Sequence, residues 1–428
     1  MEDEMVKAKE NLDLSLVGSG TPMGELMRRY WQPIAASADV NEREHTKMIK
    51  ILGEELVLYR NRQGGIGLIG PRCAHRNASL LYSVPEDDGL RCCYHGWLYD
   101  NTGQCIEQPN EPKNFSKKVK IPSYPVQEMG GLIFAYLGPE PAPLLPKWDV
   151  LAWENVTRKI SVAILPCNWL QCMENSLDPV HFEWLHRYYG TYQIALQNPE
   201  KSMSDWDSQT AQRGKRHVKL GFELTDYGII KRRLLEGEAE TEDHWRMGHP
   251  ILFPNVLRVG MGDWHGLHYR VPMDDTHTLH IMCDLVLPKP GEKAPEQKVV
   301  PATYWPLYDK DNKLIQVFDG PFEPYHVVAQ DQVAWIAQGD ISDRTTETLS
   351  ATDLGIVWYR NLLKDQMGVV AQGGEPMNTH RNPEKNECII LPAELSRYPG
   401  DGANDLGGPF KEFVPRRPDY EMLLKQDK

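Results

Sequence analysis

Two short runs early in the chain put sulfur beside imidazole: Cys73-Ala74-His75 and Cys92-Cys93-Tyr94-His95, with 16 residues between them. Two thiolates and two imidazoles can bind Zn2+ tetrahedrally. They can equally hold a [2Fe–2S] cluster, with both cysteines on one iron and both histidines on the other. The distribution favours the cluster. A zinc finger usually keeps its cysteines in one knuckle and its histidines on a helix, whereas here each run supplies one of each. On that reading Cys73 and Cys92 take the inner iron, and His75 and His95 the outer one.

A second group follows at His181 and His186, five positions apart. On an ideal helix that is roughly 140° of rotation, so the two rings converge only where the helix is distorted or ends between them, and Pro179 supplies a break. Two imidazoles and a carboxylate form a facial triad that leaves positions open on Fe(II) for O2 and substrate. The local carboxylates are Glu174, Asp178 and Glu183. Asp178 also reads as an N-cap ahead of Pro179. The two histidines, taken alone, also read as one core and one surface residue.

Both groups need scaffolds. Residues 48–137 are short apolar runs punctuated by glycine, such as Leu56-Val57-Leu58-Tyr59, which predict strands of a small sandwich or barrel. Residues 138–146 carry Pro139, Pro141, Pro143 and Pro146 and read as a linker. Beyond it the pattern predicts a helix over 166–187 interrupted at Asp178-Pro179, and strands over 227–235 and 278–287. It also predicts a helix over 327–338 stopped by Gly339. A last helix is expected over 351–367, with a Ser350/Asp353 capping box and Gly368 after its end. The final ~30 residues, rich in Pro and Gly, are expected to wrap over the surface.

Tyr94-His95-Gly96-Trp97 completes a pattern, C-x-H … C-x-x-H-G-W, that resembles the Rieske non-heme iron oxygenases. Glu174-Asn175-x-x-Asp178-x-x-His181-x-x-x-x-His186 is similar to the signature of their catalytic domain. Gln330-Asp331, the run 343–349 with Asp353, and Val271-Pro272-Met273-Asp274-Asp275-Thr276-His277 resemble the phthalate dioxygenase subgroup. The resemblance spans roughly 25–365 and implies a large (alpha) oxygenase subunit of α+β class. An N-terminal all-β Rieske [2Fe–2S] domain would precede an antiparallel-sheet helix-grip catalytic domain. The expected division is an N-terminal helical segment at 1–45, a Rieske domain at 46–145 and a catalytic domain at 146–428.

By the same resemblance, Cys73, His75, Cys92 and His95 hold the cluster, and His181, His186 and Asp331 hold one mononuclear Fe(II), with Asp340 or Asp343 as substitutes for Asp331. Asp178, with Asn175 in the same signature, is the catalytic bridge from the cluster of one subunit to the iron of its neighbour. A homotrimer or dimer of trimers follows, served by an NAD(P)H-dependent flavin/iron–sulfur reductase, directly or through a ferredoxin. The subgroup acts on small aromatic acids with O2, by ring cis-dihydroxylation or by oxidative O-demethylation. Arg187, Arg216 and Arg270 are candidate partners for the acid group. Cys93 departs from the family, which usually has proline there, and the match weakens after about residue 370. Ala78 and Tyr94 stand where the membrane-complex type of Rieske protein has its disulfide cysteines. Fewer donors to the sulfurs place the expected potential low in the Rieske span.

Composition sets the bounds. Among 428 residues, Lys+Arg number 47 and Asp+Glu 60, so the net charge is 47 − 60 = −13. That argues against non-specific nucleic-acid or anionic-membrane binding, which needs clustered cations. The apolar runs fall short of the ~20 residues that span a bilayer. The acidic start Met1-Glu2-Asp3-Glu4 lacks the basic and apolar regions of a signal peptide, so a cytoplasmic protein with reduced thiols is expected. The competing reading is an electron carrier whose second domain is only a scaffold.

Overall fold

A computed structural model describes residues 2–112, 115–190, 192, 215–289, 291–305 and 327–393. The glycine-punctuated runs do form strands. Thr46–Ile51, Glu54–Arg60, Ile66–Ile69 and Ser123–Tyr124 make one four-stranded antiparallel sheet. Val84–Pro85, Leu90–Arg91, Leu98–Tyr99 and Cys105–Glu107 make a second, smaller one. A buried apolar cluster that includes Val57, Tyr59, Ile69, Leu80 and Tyr99 also takes in Cys73 and Cys92. The metal-type cysteines therefore sit in this core and not on a loose loop.

The N-terminal stretch is not helical throughout. Helices Glu2–Ser15 and Pro22–Met27 are followed by a strand, Trp31–Ala36, that pairs with Leu132–Tyr136. Residues 138–146 hold no helix or strand, as their prolines dictate. They are nonetheless pinned, since the Trp31 indole donates to the Pro143 carbonyl at 2.8 Å and the Leu144 amide to His380 at 2.8 Å.

Beyond lies one eight-stranded sheet. Its spatial order is His217–Thr225, Gly228–Leu235, His249–Leu252, Val256–Met261, Trp264–Pro272, Thr278–Val286, Thr157–Leu165, Ala302–Tyr304. The α+β class holds, with one refinement. The sheet is mixed, because Ala302–Tyr304 runs parallel to Thr157–Leu165 while every other pair is antiparallel. The helix Trp169–Leu177 packs across Val256–Met261 and Trp264–Pro272, and Leu354–Ala371 packs across Gly228–Leu235. Fully buried Trp169 and Trp335 anchor the helices beside the site.

The predicted helix near 327 is present as Val327–Ile336, and Gly339 adopts φ +86° just past it. The last helix opens with the expected Ser350/Asp353 capping box on a short 3-10 turn, then runs from Leu354 to Ala371. Gly368 does not stop it. Nothing crowds that position, so the helix continues until Gly373, at φ +78°, follows its end. No helix among the described residues is long and apolar enough to cross a membrane. The expectation for the last ~30 residues lies outside the described residues.

Candidate metal centres

The two cysteine–histidine runs fold as near copies. In the first, the Asn77 amide donates to the Cys73 carbonyl at 2.9 Å and the Cys73 amide to Ala78 at 2.9 Å. In the second, the Gly96 amide donates to the Cys92 carbonyl at 3.0 Å and the Cys92 amide to Trp97 at 2.8 Å. Each turn closes through a left-handed residue, Asn77 at φ +58° and Gly96 at φ +75°, the residue types that tolerate this conformation. The loops meet face to face: the His75 and His95 rings lie 4.4 Å apart, and His75 stacks on Trp97 at 4.6 Å. Cys73 and Cys92 are buried, while His95 is exposed. The inner–outer division that the spacing suggested is thus present in the burial.

This donor set suits a cluster. Burial pushes the Cys73 thiol up; its hydrogen bond to the Tyr99 hydroxyl at 3.2 Å pulls the other way, and neighbouring Cys92 adds to the rise. Two adjacent buried thiols are costly to ionise without a cation between them. His75 Nδ1 is buried without a partner, so a ring nitrogen is available to a metal. Cys93 points outward and is exposed.

The second group converges by a different device. The helix Trp169–Leu177 starts at an Asn168 cap, whose side chain accepts from the Leu170 amide at 3.0 Å, and ends at Asp178. Pro179 breaks the chain there, but ahead of both histidines, so it is not what brings them together. His181 precedes a π-helical segment, Phe182–Tyr189. Its wide i→i+5 turn sets residues five apart one above the other, and the two rings lie 5.1 Å apart.

Asp331, on the helix Val327–Ile336, completes the group. Its Oδ1 lies 3.3 Å from His186 Nε2 and 3.6 Å from His181 Nε2, and the three ligand atoms fall within 4.8 Å of one another. Burial would raise the Asp331 carboxyl, yet His186, His181 and Arg270 hold it below the usual carboxylate range. Neighbouring groups orient the rings. His186 Nδ1 bonds Gln330 Oε1 at 2.8 Å, which makes Nδ1 the protonated nitrogen and leaves the Nε2 lone pair facing Asp331. Asp178 Oδ2 lies 3.4 Å from His181 Nδ1, while its Oδ1 accepts from the Val180 amide at 2.8 Å. Asn175 Nδ2 reaches Asp331 Oδ1 at 3.5 Å. Two nitrogens and one oxygen with space beside them fit a facial triad for Fe(II).

The other carboxylates are engaged elsewhere. Glu174 takes a bidentate contact from Arg344, with both bonds at 2.9 Å, and a further one from Arg360 at 2.6 Å. Burial raises the Glu174 carboxyl, and the two guanidiniums more than offset it. Glu183 faces His217 at 3.3 Å. Asp343 caps its own turn through Thr345, and Asp340 is exposed.

A cavity of about 200 Å3 opens beside the three ligand-type residues. Leu257, Val259, Trp264 and Val327 give it apolar walls. Strand alternation points Lys231 and Arg233 into it from Gly228–Leu235, and His268 and Arg270 from Trp264–Pro272. Of the candidate arginines only Arg270 is there; Arg187 and Arg216 are not in its wall. Lys231, Arg233 and Arg270 are all buried, and among the described residues none has a carboxylate within ion-pair distance. Burial, with Arg233 adding to it, lowers Lys231 to about 8, and burial lowers Arg270 to about 10. The motif pattern missed Lys231, Arg233, His268 and His280. The available signal was polar residues repeating at every second position of otherwise apolar strands.

A Rieske-type pair of loops and, in the other domain, a two-histidine, one-carboxylate group define a terminal oxygenase subunit. Residues 30–125 match the Rieske [2Fe-2S] domain, and residues 135–390 match the LigXa C-terminal domain like family. The chain is 39% identical over 437 residues to the 5,5'-dehydrodivanillate O-demethylase oxygenase subunit of Sphingobium sp. (strain NBRC 103272 / SYK-6), covering 99% of this chain and 97% of that one. It is 36% identical to the phenoxybenzoate dioxygenase subunit alpha of Ectopseudomonas oleovorans, covering 86% and 87%. The fold resembles the oxygenase in the reduced oxygenase–ferredoxin complex of carbazole 1,9a-dioxygenase, with TM-score 0.54, 19% identity and coverage of 90% and 97%. The chain belongs to the Rieske non-heme iron oxygenases, as an oxygenase alpha subunit with a LigXa-type C-terminal domain. Its cofactors are a Rieske [2Fe–2S] cluster and a mononuclear non-heme iron, and it is a catalytic oxygenase, not an electron carrier with an inert second domain.

Proposed function

We propose that this oxygenase hydroxylates or O-demethylates an aromatic carboxylic acid. The observation that carries the substrate class is the cavity itself: apolar walls around three buried cations, Lys231, Arg233 and Arg270, with no carboxylate partner among the described residues. Buried charges are retained where a counter-charge arrives, and a substrate carboxylate supplies it. The relatives' names agree, one being a demethylase of dehydrodivanillate and the other a dioxygenase of phenoxybenzoate.

In this reading Cys73, His75, Cys92 and His95 hold the cluster, and His181, His186 and Asp331 hold the mononuclear iron. When bound, the mononuclear iron supplies the O2 chemistry and the cluster supplies electrons one at a time. The protein's own part is preparation. Gln330 fixes the His186 tautomer, Asp178 sets a carboxylate 3.4 Å from His181 Nδ1, and Asn175 steadies Asp331. The cations draw the carboxylate to one end of the cavity, while Leu257, Val259 and Trp264 receive the ring and exclude water. Asp178 is the electron bridge. Its side chain is 28% exposed, so it reaches the surface where a neighbouring copy's cluster would face it. That role implies a homotrimer or dimer of trimers. The exposed rim at Cys93, Tyr94 and His95 is the docking face for a reductase or ferredoxin. The division into 1–45, 46–145 and 146–428, and a cytoplasmic location, belong to the same proposal.

The test is product analysis with a matched reductase and a panel of phthalates, methoxybenzoates and biphenyl acids beside their uncharged amides. Turnover of the acids is expected, with formaldehyde marking demethylation and a diol marking hydroxylation. Equal turnover of acids and amides would overturn the assignment of the three cations.

A further inference from the structure

The run Val271-Pro272-Met273-Asp274-Asp275-Thr276-His277 belongs to neither metal group. It closes the strand Trp264–Pro272 and forms the turn that leads into Thr278–Val286. Asp274 holds that turn together. Its Oδ1 accepts from the Thr276 amide at 2.9 Å and lies 3.0 Å from His277 Nδ1. Burial raises the Asp274 carboxyl, yet Lys50, the Thr276 amide and His277 hold it at about 2, so it stays charged.

On one side the turn grips the sheet that carries the cluster loops. Leu52 at φ +50° and Gly53 at φ +79° make the tight hairpin between Thr46–Ile51 and Glu54–Arg60. The Leu52 amide donates to the Pro272 carbonyl at 3.0 Å, and the Gly53 amide to the Met273 carbonyl at 2.9 Å. Lys50 Nζ lies 2.5 Å from Asp274 Oδ2. A left-handed conformation is uncommon for a residue such as leucine and persists where the surroundings enforce it. Here the Leu52 side chain is buried in the same apolar cluster as Val17 and Val271.

On the other side the turn grips the helix that leads to Asp178. Asp275 Oδ1 accepts from the Val17 amide at 2.8 Å, just past the helix Glu2–Ser15. The Asp275 carbonyl accepts from Asn168 Nδ2 at 2.7 Å, and Asn168 is the cap of Trp169–Leu177. Thr278 Oγ1 donates to the Cys167 carbonyl at 2.8 Å, next to that cap. Apolar packing is non-directional, whereas hydrogen bonds prefer defined angles. One turn therefore ties the cluster's sheet and the Asp178 helix into a single frame.

We propose that the turn 273–277 is the joint that sets the angle at which each chain carries its cluster domain, with Asp274 and Asp275 as positioning residues for electron delivery. A closed ring of copies forms only where every chain repeats the same angle. A change of angle moves the cluster away from the neighbour's Asp178, and electron tunnelling decays exponentially with distance. This inference rests on the electron path through Asp178 proposed above.

The experiment uses the full-length, iron-loaded oxygenase with its cluster reduced by dithionite. It compares the native protein with Asp274→Ala, Asp275→Ala and the double variant. Lys50→Met cuts the link from the cluster side alone, and because that pair is partly exposed the fold tolerates its loss. The first reading is the microwave power that half-saturates the Rieske EPR signal with nitric oxide on the mononuclear iron; it falls as the two centres separate. The second is the rate of cluster reoxidation on mixing with O2 and 3-methoxybenzoate. In the double variant the half-saturation power is expected to fall and reoxidation to slow at least about tenfold, with iron and sulfide content unchanged. Smaller changes in the same direction are expected in Lys50→Met and in each single variant. A merely structural role would lower the melting temperature and leave both readings native in the iron-loaded protein, which would overturn the joint. Native readings in Lys50→Met and in both single variants would overturn it as well. Asp178→Asn separates the two proposals, since it is expected to stop reoxidation while keeping the native half-saturation power. Native reoxidation in that variant would remove the path through Asp178 and, with it, the role of the joint in electron delivery.

Discussion

The two metal centres are built by opposite strategies. The cluster loops draw all four donors from one stretch, 73–95, and each loop is a tight turn closed by its own backbone hydrogen bonds around a left-handed residue. The mononuclear group draws its donors from positions 331 − 181 = 150 residues apart, and both His186 and Asp331 are steadied by a residue from a distant element, Gln330 and Asn175. The first centre is a local structure set on a small β-scaffold, with one ring exposed. The second exists only once a helix, a π turn and a distant helix have packed together. Local construction suits a group that exchanges electrons at the surface, whereas long-range construction walls a cavity beside the metal group.

That contrast can be broken by substitution. Asp178→Asn keeps the shape of the side chain but removes its charge. Turnover is expected to fall to near background while both the Rieske EPR signal and the iron content persist; normal turnover would take Asp178 off the electron path. Glu174→Ala strips the counter-charge from Arg344, and one of two carboxylates from Arg360, in the packing that supports the mononuclear site. Breaking a buried pair this way is expected to cost about 3–5 kcal/mol, read from denaturant unfolding. A loss under 1 kcal/mol would mean the cations find water. Gln330→Leu removes the acceptor that orients His186, and iron affinity is expected to drop roughly 10–100-fold with the cluster unaffected. The smallest effect belongs to the local centre. Gly96→Ala places a side chain at φ +75° with its Cβ 3.1 Å from Pro109 Cγ, and costs about 1–2 kcal/mol. Its signature is a perturbed Rieske EPR spectrum with unchanged mononuclear iron.

The same contrast explains what could be read from the chain. Cys73, His75, Cys92 and His95 are close in sequence, so their types and spacing alone proposed a cluster and even its inner and outer irons. The helix beginning near 327 and the capping box at Ser350 were legible because their signals are local as well. The convergence of His181 and His186 was not. Nothing in the residue types announces a π turn, and the break at Pro179 offered a simpler cause in the wrong place. Asp331 could not be chosen over Glu174 or Glu183 by spacing; only the resemblance singled it out. The fold then accounts for the choice, because Arg344, Arg360 and His217 occupy the nearer carboxylates. Lys231, Arg233, His268 and His280 went unread because a polar residue in a strand declares its face only after the sheet has closed.

The most direct test counts metal. The account predicts two cluster irons and one mononuclear iron per chain in the native protein. In Asp331→Ala it predicts two irons per chain, with the sulfide content and the Rieske EPR signal unchanged. Three irons retained in that variant, or a cluster lost together with the third iron, would contradict it.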